Sequence, residues 1–181
     1  FRSTVKKQDI VMDSSFAKFL GLFLADGYAS RMKNRPYVMS IAFNKKDVDL
    51  IQEMMDYLKT LGISSHIQNE VNNGCELVFS NKFLHTVISK CYDDSKMKIL
   101  PTYAHKLGED LKYVLEYWLK GDGWIHKSKK TGTTGVTGAS ISKKLALDMR
   151  DIAISIGKHA SIQQCARHRY GKKSKDQYWV T

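Results

Sequence analysis

An internal repeat is the feature that most limits how this chain can fold. The first unit runs from Ser14 to about Leu107 and the second from about Gly108 to the end. Each unit opens with apolar residues at helical spacing, and each of these stretches ends in Asp-Gly followed by an aromatic residue. The two aspartates, Asp26 and Asp122, stand 96 positions apart. The repeat predicts two similar units that pack on each other.

Both units show the order helix, two strands, helix, two strands. Ser14 or Ser15 is expected to N-cap the first helix. The second helix of each unit is expected to end before Gly62 or Gly157, because glycine is favoured just past a helix C-terminus. The first unit continues into a helix near residues 83–92, which has no counterpart in the second unit as far as Thr181. The strands are expected at residues 40–44, 64–68, 76–80, 138–141, 159–163 and 177–181.

These patterns predict an α+β fold of two pseudo-symmetric α-β-β-α-β-β units. Residues 1–13 are interpreted as an N-terminal leader, 14–107 as the first unit and 108–181 as the second, whose last helices are expected to be absent from this chain. The leader lacks the basic-then-apolar pattern of a signal peptide, and no run of 18 apolar residues occurs. An intracellular protein that does not span a membrane is therefore expected.

Charge favours a polyanionic partner. The chain of 181 residues has 29 Lys and Arg against 18 Asp and Glu, which gives a net charge of +11. A basic protein of this kind favours nucleic acid over a membrane surface, since no basic amphipathic helix is evident.

Several other classes of site find no support in the sequence. Cys75, Cys91 and Cys165 are widely spaced and lack a C-x-x-C pattern, which argues against a zinc site or a disulfide scaffold. The six histidines form no H-x-x-x-H pair. No G-x-x-x-x-G-K-[ST] loop is present either, so hydrolysis of nucleoside triphosphates is not indicated.

The Asp-Gly helices carry the residues that point to chemistry. Gly21 and Ala25 on one helix and Gly121 on the other provide small side chains that let two helices approach closely. Such packing would bring Asp26 and Asp122 together, each at the negative end of a helix. Two adjacent carboxylates repel each other, and a divalent cation relieves that repulsion. The pattern predicts metal-assisted hydrolysis of a phosphodiester.

The segment from Phe19 to Gly27 resembles the LAGLIDADG motif of homing endonucleases, and the segment from Leu115 to Gly123 resembles a second copy. Gly21, Leu22, Ala25, Asp26 and Gly27 match the motif position by position in the first copy. The second copy departs from it at Tyr117, where the family usually has a small residue.

The resemblance implies a site-specific double-stranded DNA endonuclease that depends on Mg²⁺, with Mn²⁺ as a substitute and Ca²⁺ as an ion that binds without supporting cleavage. Asp26 and Asp122 would be catalytic and would hold the metal, helped by the backbone carbonyls of Ala25 and Gly121. Water would attack each strand across the minor groove and leave a staggered break. Sequence differences between the units imply a monomer that reads a long asymmetric site.

A lysine upstream of the second motif extends the resemblance. Intein-type members carry a lysine three residues before a proline, and Lys98 stands in that relation to Pro101. In the family this lysine is thought to polarise the attacking water or the scissile phosphate, which makes Lys98 the third expected catalytic residue. Lys96 is a neighbour that could take its place.

The DNA-binding surface is expected on the strands and hairpins, because paired strands can enter the major groove and present alternate side chains to base edges. In the family, two four-stranded sheets form a saddle over the duplex. The candidates are Arg31, Lys33, Asn34, Arg35 and Tyr37 in the first unit, and His126, Lys127, Lys129, Lys130, Arg167, Arg169, Lys172, Lys173 and Lys175 in the second.

Two further interpretations remain open. The first is a relative that no longer cleaves and acts as a DNA- or RNA-binding module, such as a maturase; such relatives usually lose an acidic residue, whereas both are present here. The second concerns origin. The chain would be the nuclease part of an intein or an intron-encoded enzyme. Self-splicing needs a nucleophile at the start and a His-Asn pair at the end, which Phe1 and Val180-Thr181 do not supply, so this chain alone is not expected to splice.

Overall fold

The structure, a computed structural model, consists of two four-stranded antiparallel sheets and the helices packed on them. It describes residues 9–34, 36–69, 73–127, 132, 134–166, 168–169, 172–173 and 176–181.

Two motif helices lie at the centre of the molecule. Helix α1 spans Ser14–Asp26 and α4 spans Leu111–Asp122, so each ends at one of the repeated aspartates. The expectation that Ser14 or Ser15 caps α1 is wrong, because the carboxylate of Asp13 accepts a hydrogen bond from the Phe16 amide at 3.0 Å. A carboxylate serves this position as well as a hydroxyl does, and it also complements the positive end of the helix.

The first sheet is continuous from the end of α1. Its strands are β1 Gly27–Ala29, β2 Val38–Asn44, β3 Ser65–Asn69 and β4 Gly74–Ser80. They pair in the order β1-β2-β4-β3. Alternate residues of β4 are buried, and β2 buries Met39, Ile41 and Phe43 on the same face and also buries Ser40, so one face of the sheet lies on the helices and the other faces outward.

The second sheet repeats this arrangement after α4. Its strands are β5 Gly123–Lys127, β6 Thr134–Ser140, β7 Ile162–Cys165 and, at the end of the chain, β10 Gln177–Val180. They pair in the equivalent order β5-β6-β10-β7. A separate hairpin, formed by β8 His168–Arg169 and β9 Lys172–Lys173, lies between β7 and β10 and was not expected from the sequence.

Three further helices cover the inner faces. Helix α2 spans Val48–Thr60, α3 spans Lys82–Ile88 and α5 spans Lys143–Ser155. The predicted helix at residues 83–92 is present as α3 followed by a 3₁₀ turn at Ser89–Cys91. Gly62 and Gly157, just past α2 and α5, have φ of 67° and 76°, the left-handed conformation that favours glycine.

The join between the units is a pair of 3₁₀ turns that begins after Pro101 and runs over Thr102–Asp110. Gly108 interrupts it with a φ of 54°. One apolar core then joins both units, since fully buried side chains of α1, α4, α5 and the first sheet belong to the same cluster. The α+β fold with two sheets and paired motif helices is therefore confirmed, whereas the division at residues 107 and 108 stays a prediction.

The three cysteines are free thiols, as the sequence predicts. Within the described residues, no helix combines the length and the apolar character that a membrane crossing requires.

Candidate active site between the motif helices

The motif helices pack backbone against backbone because glycines stand at their contact. A Cβ built on Gly21 would lie 2.5 Å from the Val114 carbonyl oxygen and 3.0 Å from the Trp118 amide nitrogen. A Cβ on Gly121 would lie 2.5 Å from the Ala25 Cβ and 3.0 Å from Oδ2 of Asp26. Neither glycine has room for a side chain, so the small residues of the motif determine how near the two helix ends come.

Tyr117, the departure from the motif, does not separate the helices. Its Cβ packs against Gly21, and its hydroxyl donates to Oε2 of Glu53 on α2 at 2.7 Å. Lys18 on α1 donates to the other oxygen of Glu53, also at 2.7 Å. Burial alone would raise the pKa of Glu53, but these two hydrogen bonds outweigh it and the pKa is lowered. One carboxylate thus links three helices.

Asp26 lies close enough to Asp122 for its charge to shift the ionisation of Asp122. Partial burial, reinforced by the negative charge of Asp26, raises the pKa of Asp122 to about 6, although Lys98 opposes the shift. Burial also raises the pKa of Asp26, again against the attraction of Lys98. Two carboxylates held at helix C-termini with too little positive charge around them form a site prepared for a cation.

Lys98 is placed among these groups by a tight turn. The backbone of Lys98 forms an antiparallel bridge with Tyr92, and the Asp93 carboxylate accepts from the Met97 amide at 2.8 Å within the turn. Lys98 Nζ then donates to the carbonyl oxygen of Ala25. Burial lowers the pKa of Lys98 to about 8, while the attraction of Asp122 and of Asp26 limits the shift.

A cleft of about 390 Å³ opens beside this group. Ala25, Lys98 and Asp122 line it from the motif side, and Ala139 and Gln177 line it from the second sheet. Lys96, proposed as a substitute for Lys98, also lines the cleft, but its side chain is exposed and its φ is 62°. Larger cavities of about 820 and 900 Å³ include none of the expected catalytic residues, so size alone does not identify the site.

The donor set fits a hard divalent cation that is shared with a substrate. Within the described residues, no group of three or more His, Cys, Asp and Glu side chains is arranged to hold a metal. Two carboxylates with a backbone carbonyl match the way in which Mg²⁺ binds through few protein ligands plus water and phosphate. The Ala25 carbonyl oxygen, one of the expected metal ligands, accepts a hydrogen bond from the Lys98 ammonium, so a positive charge already lies at that oxygen.

The expected DNA-binding residues are located only in part. Arg31, Lys33 and Asn34 are exposed after β1, and Arg31 lies over the Tyr92 ring at 4.7 Å. Tyr37 is half-buried with its ring against His85 of α3. In the second unit Lys127 is exposed, and His126 is half-buried near Thr137. For Arg169, Lys172 and Lys173 only the strand assignment is described, and Arg35, Lys129, Lys130, Arg167 and Lys175 lie outside the described residues.

The strands were expected to contact DNA, but the candidates named from the sequence omit Trp124, Trp179 and Gln177 of the second sheet. Of these, Gln177 lines the cleft together with Asp122. Apolar residues alternate along β4, which assigns its other positions to the opposite face, but the strand pairing that brings Trp124 and Trp179 together is not visible in any single strand.

The raised pKa of Asp122 predicts an unusual effect of its replacement on stability. A carboxyl whose pKa is higher in the folded state binds its proton more tightly there, so stability falls as pH rises from about 4 to about 6. In metal-free buffer at pH 7.0, Asp122→Asn should therefore raise the free energy of unfolding by about 1–2 kcal/mol, allowing for partial solvent screening.

This difference should largely disappear near pH 4, where the wild-type carboxyl is protonated in the folded state and about half protonated in the unfolded state, and Lys98 stays charged throughout that range. Urea unfolding at the two pH values, in the presence of a chelator, measures it. An identical difference at pH 4 and pH 7.0 would show that the Asp122 carboxyl is fully hydrated.

Comparison with known proteins agrees with the geometry. The family model described as "LAGLIDADG-like domain" matches residues 13–92. An uncharacterized protein of Methanocaldococcus jannaschii is 25% identical over 93% of this chain, and a DNA polymerase of Thermococcus aggregans is 29% identical over 66%. The matched segments are small parts of these relatives, 20% and 6% of their respective lengths.

Solved structures show the same fold over nearly the whole chain. The homing endonuclease I-WcaI, bound to its DNA recognition sequence, has a TM-score of 0.62 at 13% identity, with 97% of this chain and 79% of that one covered. I-DmoI in complex with DNA and Mn has a TM-score of 0.58 at 17% identity, with coverages of 94% and 89%. WhiA from Thermatoga maritima has a TM-score of 0.57 at 11% identity, with coverages of 94% and 51%. Residues 13–92 therefore match the LAGLIDADG-like domain model, and the chain as a whole has the fold of the LAGLIDADG homing endonucleases.

Proposed function

We propose that this chain is a site-specific endonuclease that cuts both strands of DNA with a divalent cation, most naturally Mg²⁺. The observation that carries the proposal is the placement of Asp26 and Asp122 at adjoining helix ends, with raised pKa values and a half-buried lysine that both carboxylates attract. A purely structural pair would be neutralised by bonded partners, whereas here burial and mutual repulsion are left for a cation to relieve.

Each residue has a part that follows from its position. Asp26 and Asp122, with the carbonyls of Ala25 and Gly121, would hold the metal, which when bound supplies charge stabilisation at the phosphate and favours ionisation of water. Lys98 Nζ donates a hydrogen bond to the Ala25 carbonyl oxygen, which is also one of the proposed metal ligands. Its ammonium would orient a phosphate oxygen and donate a hydrogen bond to it, and its pKa near 8 permits proton exchange with water at neutral pH.

Double-stranded DNA is the proposed partner of the outward sheet faces. I-WcaI and I-DmoI are both described in complex with DNA, and I-DmoI with Mn or with Ca as well. In this chain, the net charge of +11 suits a polyanion, and the proposed mode is a monomer whose two unequal sheets contact unequal half-sites.

We further propose that this chain is encoded inside a larger host gene. The DNA polymerase relative matches over only 6% of its length, so the similar segment is embedded in a much longer polypeptide. This is the arrangement expected for the nuclease part of an intein. An intron-encoded enzyme is the other origin considered.

A DNA-binding module without cleavage is the second candidate, and the similarity to WhiA favours it. Asp122 and Lys98 line one cleft, and the charge of Asp26 acts on both of them, which favours the enzyme. Incubation of the protein with a randomised duplex library in Mg²⁺, followed by sequencing of cut ends, separates the two. Enrichment of one long asymmetric cut site supports the endonuclease, and binding enrichment without cut ends supports the module.

Replacement of Lys98 by methionine is expected to slow cleavage by about 100-fold, because a charged donor to the phosphate is lost while both carboxylates remain. Single-turnover cleavage rates across pH 6–9 measure the effect. Lys98→Arg, which keeps its charge at high pH, should recover part of the rate and lose the fall in rate above about pH 8 that deprotonation of Lys98 causes. Full activity of Lys98→Met would remove this residue from the catalytic group.

A further inference from the structure

The outward face of the second sheet can be assigned residue by residue. A Cβ on Gly138 would lie 2.4 Å from the Trp118 ring, so Gly138 faces the core, as does its buried partner Val180. The neighbouring residues, Ala139 of β6 and Trp179 of β10, therefore lie on the outward face, where Ala139 is only 9% exposed. Trp179 pairs on its other side with Gln163 of β7, which places the three residues in one row.

The first sheet has a matching row. Ile41 and Leu77 pair with each other and are fully buried, so their neighbours Ala42 and Glu76 face outward. Glu76 pairs in turn with Gln68 of β3. Each sheet thus carries an outward row of three paired residues on strands of equivalent order. In both rows an alanine stands at one end and a glutamine at the other.

The central residue is where the two rows differ. It is glutamate in the first sheet, Glu76, and tryptophan in the second, Trp179. Trp124 of β5 meets Trp179 edge to face with ring centroids 5.4 Å apart, and Trp124 remains 41% exposed. Aromatic surface left open on a sheet face beside the site indicates a partner with apolar groups of its own.

This face borders the aspartates. Gln177 lies two residues before Trp179 on the same face of β10 and lines the cleft together with Asp122 and Ala139. Bases near the scissile phosphates would therefore meet the row and its glutamines directly.

The chemistry of the face points to one kind of base pair. In the major groove, a glutamine amide matches the N6 and N7 edge of adenine, and an apolar side chain contacts the 5-methyl group of thymine. Cytosine lacks that methyl and presents an amino group, which suits a carboxylate acceptor instead. The second sheet offers amides and apolar surface, and the first sheet places a carboxylate at the equivalent point.

We propose that the second sheet reads A·T base pairs, with Trp179 against thymine methyl groups and Gln163 and Gln177 on adenines. The half-site under this sheet is A·T-rich, and the half-site under the first sheet is not. The proposal rests on the proposed function, because it assumes that the outward faces enter the major groove of DNA.

The test begins with sequences selected for binding from a randomised duplex library in Ca²⁺, for the wild type and for Trp179→Glu. The half-site whose consensus changes in the variant is the one under the second sheet. We expect that half to be A·T-rich in the wild type, and one thymine in it to be replaced by cytosine in the variant. Trp179→Leu, which keeps apolar contact and gives a variant to use if the glutamate disturbs folding, should retain the thymine.

Removal of a single methyl group from the DNA then tests the methyl contact itself. On the selected site, each thymine of that half is replaced in turn by deoxyuridine, which removes only the methyl group. Binding by the wild type should weaken by about fourfold at the contacted position, and binding by Trp179→Glu should not respond there.

Each outcome decides between the proposals. No enriched sequence for the wild type overturns the proposed function and, with it, the base preference. An enriched site with a G·C-rich second half, or one that is insensitive to deoxyuridine, overturns only the base preference. An A·T-rich half that responds to a single methyl group establishes Trp179 as a specificity-determining residue.

Discussion

Replacement of either motif aspartate by asparagine is expected to lower the rate of double-strand cleavage at least about 1,000-fold without loss of DNA binding. Asn keeps the size and the shape of the side chain but removes the negative charge that would hold the cation. Because the cation stabilises charge at the reacting phosphate, its loss costs more than that of a single hydrogen-bond donor. Binding should persist or tighten, since Asp26→Asn or Asp122→Asn removes negative charge facing the DNA backbone.

Asp148→Asn is the matched control. Asp148, on α5, is another partly buried carboxyl whose pKa is raised by burial, but it does not line the cleft. Its replacement should leave cleavage within about twofold of the wild type, because Asp148 lies outside the cleft that holds Asp122 and Lys98. Cleavage is followed on a supercoiled plasmid that carries the selected site, where nicked and linear products are counted separately. Wild-type cleavage by either aspartate variant would remove that residue from the metal site.

The repeat and the two Asp-Gly helices were predictable from the sequence because both depend on local patterns. Apolar residues at helical spacing define α1 and α4, and Gly62 and Gly157 mark where α2 and α5 end. The convergence of Asp26 and Asp122 followed from the small residues beside them, which have no other use on a helix surface than close approach.

Other features depend on contacts between residues that are distant in sequence. The fit of Tyr117 required Glu53, 64 residues away, whose carboxylate accepts its hydroxyl. The outward rows of the sheets required the register of β4 with β2 and of β10 with β6, which no single strand specifies. The N-cap of α1 was decided by competition between neighbouring residues, and Asp13 accepts the hydrogen bond in place of the serines.

A single methyl group at the helix crossing is expected to have the largest effect on stability. In an exposed helix, Gly→Ala is favourable by about 1 kcal/mol. At Gly21 the new Cβ would lie 2.5 Å from the Val114 carbonyl oxygen, and backbone on the other helix cannot move aside as a side chain would. Overpacking of this kind costs up to about 3 kcal/mol. Gly21→Ala should therefore lower stability by about 2 kcal/mol and Tm by roughly 4–8 °C.

Catalysis should suffer as well, because α1 and α4 must separate to accommodate the methyl and the aspartates at their ends would separate with them. Thermal unfolding and Mg²⁺-dependent cleavage of Gly21→Ala measure the two consequences together. Ser15→Ala, at an exposed position of the same helix, tests propensity alone and should leave both unchanged. A Gly21→Ala protein with normal Tm and normal cleavage would mean that the helix crossing tolerates a wider gap, and close packing would then no longer explain how the carboxylates are brought together.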